Sequence, residues 1–112
     1  MEMDVRAVNF QMSESLGDHA VRRLHAALDC FESRIRWVNL RLTDDHGKRH
    51  GTTMHCCVEA GVTGGGSVMV EQDAGDLFEA VDRAAGRLKR TVRRCLNRRR
   101  DTRLRGPRAA AL

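Results

Sequence analysis

Ile35-Arg36-Trp37-Val38-Asn39-Leu40-Arg41-Leu42-Thr43 alternates strictly from Trp37 onward, with Val38, Leu40 and Leu42 on one side and Trp37, Asn39 and Arg41 on the other. A period of two is the mark of a strand with one buried face. The polar run 44–51 that follows, Asp44-Asp45-His46-Gly47-Lys48-Arg49-His50-Gly51, reads as a turn. From about Thr53 to Ala60 the alternation resumes, with Met54, Cys56, Val58 and Ala60 sharing a face. Gly64-Gly65-Gly66 makes the next turn, and Ser67 to Gln72, with Val68 and Val70 inward, makes another strand. Short connections between these three strands predict an antiparallel meander.

The flanks of this meander supply the other elements. Residues 3–9 read as a short strand in which Met3, Val5 and Ala7 alternate with Asp4 and Arg6. Ser13 has the chemistry of a helix N-cap, and Glu14 places a negative charge in the first turn. Leu16, Ala20, Leu24, Ala27, Leu28 and Phe31 then recur at helical spacing, with Gly17 weakening the helix slightly. A last helix is predicted from Ala74 or Gly75, capped by Asp73, with Leu77, Val81, Ala84, Ala85, Leu88, Val92, Cys95 and Leu96 as its buried stripe. The repeat fades after Leu96. Residues 1–100 are expected to form one domain, and residues 101–112, which contain Gly106-Pro107, a disordered basic tail. The order β-α-β-β-β-α implies an α+β fold with two helices packed on one face of a four-stranded sheet. The other sheet face would carry Trp37, Asn39, Arg41, His55, Cys57, Glu59, Met69 and Glu71 and be partly wet.

Composition narrows the function classes. With 112 residues and 41% hydrophobic content, the chain can build one core and not two. No stretch is long and apolar enough to cross a bilayer. Met1 to Phe10 holds Glu2, Asp4 and Arg6 and no apolar signal region, so a cytoplasmic location is expected. Of the four cysteines, Cys30, Cys56, Cys57 and Cys95, the adjacent pair would point to opposite sheet faces, and reduced thiols are expected. His50, His55 and the cysteines lack the spacing of a zinc site, so no metal or cofactor is expected. Asp44, Asp45 and His46 sit on a turn where polar residues belong in any case, and Ser13 and His19 lie nearly two helical turns apart. No nucleophile, base and oxyanion site can be assembled, and residues 64–66 lack the ending of a phosphate loop. The chain is therefore not expected to be an enzyme or to take a small-molecule substrate.

Charge is the informative feature. The net charge of +5 conceals an asymmetry: residues 1–82 hold eight basic and fourteen acidic side chains, whereas residues 83–112 hold twelve basic ones and a single acid, Asp101. Around the last helix, Arg83, Arg87, Lys89, Arg90, Arg93, Arg94 and Arg98 cover the flanks and back while Leu88 centres the buried stripe. Several lie four apart with like charge, Arg83/Arg87, Lys89/Arg93, Arg90/Arg94 and Arg94/Arg98, at about 0.2–0.5 kcal/mol of repulsion each. A solvated helix normally mixes signs. Cations do suit a helix C-terminus, but that accounts for the last turn only. A polyanion partner accounts for the rest, and arginine forks match phosphate geometry. The aromatics, Phe10, Phe31, Trp37 and Phe78, do not form a stacking sheet, so recognition is expected to run through phosphates and RNA shape.

Specific residues also resemble a known family. Val8-Asn9-Phe10-Gln11-Met12-Ser13-Glu14-Ser15-Leu16, the segment Phe31 to Ile35 leading into Val38, Leu40 and Leu42, and above all Gly75-Asp76-Leu77-Phe78-Glu79-Ala80-Val81-Asp82 before a basic helix are similar to the short ribosome hibernation-promoting factors, also called protein Y or ribosome-associated inhibitor. The resemblance spans about residues 3–100. It implies a fold like that of double-stranded-RNA-binding domains. It also implies binding to the small ribosomal subunit and its ribosomal RNA, where transfer RNA and messenger RNA would sit, and silencing of translation under stress. Arg23 falls on a basic position of the family's first helix, and Arg87, Arg90 and Arg94 on those of its second. Arg22, Arg83, Lys89, Arg93 and Arg98 extend the same RNA-binding patch. Two other readings stand beside it: a generic structured-RNA-binding module, and a diverged paralogue acting as a regulatory protein–protein interaction domain.

Overall fold

The computed structural model describes residues 1–44 and 54–104, the side chains of 99–104 excepted. Of the turn read at 44–51, Asp44 instead ends a strand, and residues 45–51, His50 among them, lie outside the described residues, as do the strand start at Thr53 and the tail from residue 105 onward.

Strand β1 (Glu2–Ala7) pairs in parallel with β2 (Ile35–Asp44), Met3 opposite Val38 and Val5 opposite Leu40. A parallel pair needs a crossover, and α1 (Glu14–Leu28) with the 3₁₀ helix Asp29–Arg34 supplies it. Asn9 fixes the exit from β1: its Nδ2 donates to the Asp44 carbonyl at 2.6 Å and its Oδ1 accepts from the Asp44 amide at 2.9 Å. Ser13 caps α1, accepting from the Leu16 amide at 3.2 Å. Phe31, placed by its spacing on the α1 stripe, belongs instead to the 3₁₀ helix and is half-buried.

Strands β2, β3 (Met54–Val62) and β4 (Ser67–Ala74) form the antiparallel meander, giving the sheet order β1-β2-β3-β4. A register shift between Ile35 and Trp37 turns Ile35 into the core even though Val38, three residues on, faces the same way. The turn before β4 runs through Gly64, Gly65 and Gly66 at φ of 90°, 93° and 85°, a conformation only glycine adopts freely.

Both helices pack on one face. Leu16, Ala20, Leu24 and Leu28 of α1 meet Val38, Leu40, Leu42, Cys56 and Val58 of the sheet and Ala84, Leu88 and Val92 of α2 (Leu77–Leu104) in a single core, and none of the described polar residues is buried. Cys56 lies in this core, where burial first and the neighbouring Cys57 second push its thiol up to about 12. Cys57 is half-buried on the opposite face, as adjacent strand residues must be.

Two boundaries of α2 differ from expectation. The cap is Asp76, whose Oδ1 accepts from the Glu79 amide at 2.8 Å, and not Asp73. Asp73 lies in β4, where it pairs with His55. The helix also continues to Leu104, past the point where its apolar stripe ends. Apolar periodicity reports only the packed part of a helix; arginine is a good helix former and suits the helix C-terminus, so the backbone continues beyond it.

Candidate nucleic-acid interface

Helix α2 lies across the sheet with Leu88, Val92 and Leu96 buried. Stepping about 100° per residue from Leu88 sorts its cations into two flanks and a back. Arg83, Arg87, Arg94 and Arg98 share the flank over edge strand β4; Lys89 and Arg93 share the flank towards α1; Arg90 faces away from the sheet. Arg87 defines the first flank directly, because its Nη1 donates to the Glu71 carbonyl of β4 at 2.9 Å. That bond also covers part of an otherwise open sheet edge. Arg93 defines the second, its guanidinium lying 5.9 Å from the centroid of the Phe31 ring.

The nine cations singled out in the sequence are not equivalent. Arg23 donates from Nε to Asp82 Oδ1 at 3.0 Å, and Arg83 pairs with Glu79 one turn back. Arg22, Lys89, Arg90, Arg94 and Arg98 have no carboxylate partner among the described residues. Arg22, Arg90, Arg94 and Arg98 are exposed. From Arg87 to Arg98 the helix advances ~16 Å, enough to follow several successive phosphates. Arg90, Arg94 and Arg98 sit on one helix, so the backbone that carries them is already ordered.

Asp82 and His19 were not apparent as a unit in the sequence. Asp82 Oδ1 accepts from His19 Nε2 at 2.7 Å as well as from Arg23, tying α1 to α2. Phe78, one turn before Asp82, meets the His19 ring edge-on at 5.0 Å and is 42% exposed. The available signal was the helical spacing of Phe78 and Asp82 inside the segment Leu77–Asp82.

The opposite sheet face carries a different set. Trp37 is half-buried on an inner strand and lies against Gly61, where an added Cβ would fall 2.2 Å from the ring. Asn39, Arg41, Met69 and Glu71 are exposed. His55 stands between Asp73 and Glu71. Among the described residues no group of three potential ligands could hold a metal ion, and no helix is long and apolar enough to cross a membrane.

Comparison with solved structures places this architecture in a known class. A ribosomal subunit interface protein from Coxiella burnetii superimposes with a TM-score of 0.73 at 13% identity, covering 87% of this chain and 99% of the other. The N-terminal domain of Protein Y from Thermus thermophilus does so with a TM-score of 0.65 at 23% identity, over 84% of this chain and 98% of the other. At these identities the likeness is one of fold. The family is shown by sequence: residues 3–100 match the model of the sigma 54 modulation protein / S30EA ribosomal protein family, and the chain belongs to it. No curated protein matches the chain by sequence.

Proposed function

We propose that the chain binds the small ribosomal subunit through its ribosomal RNA, in the channel used by transfer RNA and messenger RNA, and so silences translation under stress or in stationary phase. The observation that carries this reading is the row Arg90, Arg94 and Arg98, exposed on one rigid helix with no carboxylate partner among the described residues. Such a row matches a phosphate backbone and releases counterions when it binds. Membership of a family described as S30EA ribosomal protein, and a fold shared with a ribosomal subunit interface protein, support the ribosome as the source of that RNA.

The mechanism needs no bond-making step. The core holds α1 and α2 side by side, α2 presents its guanidiniums, and occupancy alone excludes the ligands that would fill the same channel. Arg87 is a positioning contact as well as a charge, because it anchors α2 to β4. Competition tests the reading: initiator transfer RNA with messenger RNA should displace the chain from purified small subunits. Displacement failing at saturating competitor, with subunit binding intact, would remove the channel from the proposal and favour a generic structured-RNA module.

A further inference from the structure

Four large hydrophobic side chains are exposed among the described residues, Val8, Val21, Met69 and Phe78, and Phe78 is the aromatic one. It occupies the first turn of α2, on the flank facing α1 that also carries Lys89 and Arg93. The His19 ring packs against it at an interplanar angle of 61°, and His19 is held in turn by Asp82. This end of α2 differs from the arginine-rich remainder, since Asp76, Glu79 and Asp82 lie within it. Each of these carboxylates is already engaged: Asp76 caps the helix, Glu79 pairs with Arg83, and Asp82 holds His19 and Arg23. A phosphate is disfavoured beside three carboxylates, whereas a neutral ring is not. A braced, exposed aromatic ring on the flank that carries Lys89, about 16 Å along α2 from it, suits one kind of RNA group, a base that has left its stack.

We infer that Phe78 is a stacking platform for an unpaired nucleobase of the RNA whose backbone the α2 arginines hold. The inference rests on the RNA-binding reading and deepens it, dividing α2 into a base-contacting first turn and a phosphate-contacting remainder. His19 and Asp82 are positioning residues for the platform.

The test is equilibrium binding to purified small ribosomal subunits across a salt series, for wild type and Phe78→Ala, Phe78→Leu and Phe78→Trp. Leucine keeps apolar bulk and helix propensity but has no π face, and thermal unfolding of each variant checks its fold. Stacking requires that Ala and Leu both weaken binding, roughly 5- to 100-fold, that Trp retains it, and that the salt slope is unchanged in all three. A Leu variant that binds as tightly as wild type would overturn the platform while leaving the RNA reading intact. No binding by the wild type at low salt would overturn both.

Discussion

Asp82 on α2 accepts a 2.7 Å hydrogen bond from His19 on α1, and the same carboxylate oxygen takes a second from Arg23. The pair joins the two helices outside their apolar contact and holds Arg23, a residue of the proposed RNA patch, by a carboxylate. The groups are partly exposed, so solvent screening limits the gain to the ~0.2–1 kcal/mol of surface ion pairs. A double-mutant cycle with Arg23→Ala and Asp82→Ala, read by urea unfolding, should return a coupling within that range. Zero coupling would mean that the contact does not contribute to stability.

Trp37 makes a second prediction, because it is the single tryptophan and reports its own position. Gly61→Ala would place a methyl group 2.2 Å from the ring, and the clash is with a rigid side chain that lies over β3. The ring must leave the sheet. The variant should lose about 1–3 kcal/mol of stability, as over-packed sites do, and its fluorescence should shift to the red. Unchanged emission would contradict the packing of Trp37 on Gly61.

His55 sets a pH dependence. Its Nδ1 lies 2.6 Å from Asp73 and its Nε2 3.0 Å from Glu71, so both ring nitrogens face acceptors and the doubly protonated ring is favoured. The Asp73 hydrogen bond raises its pKa above 6.5, burial opposes this, and Glu71 adds to the rise. A pKa raised by folding stabilises fully below the unfolded value, and that contribution is lost as pH climbs through the folded value. Wild type should therefore exceed His55→Gln in Tm by more at about pH 6 than at about pH 9. An equal margin at both would show that the carboxylates do not hold the charged ring.

Much of this was legible in the sequence, and the exceptions share a cause. Alternation at Val38, Leu40 and Leu42 and helical spacing at Leu16, Ala20 and Leu24 report burial, and burial decides the layers of this fold. Cys56 and Cys57 could be assigned to opposite faces for the same reason. Patterns of burial do not report which polar groups meet across elements. Asp73 and Asp76 are equally good caps in sequence; the strand pairing of His55 with Asp73 draws the former into β4 and leaves the latter to start α2. Arg23 and Arg83 look as free as Arg94 until Asp82 and Glu79 are placed beside them.

The central claim is that the exposed arginine row of α2 contacts ribosomal RNA phosphates. Co-sedimentation with purified small ribosomal subunits over a salt series tests it directly, comparing wild type with Arg90→Ala/Arg94→Ala/Arg98→Ala, which leaves the anchor Arg87 in place. Wild-type binding should fall steeply with salt. The variant should bind more weakly, with a slope of log K against log salt shallower by about 2–3, the share of three phosphate contacts. An unchanged slope and affinity in the variant, or no wild-type pelleting at low salt, would contradict the account.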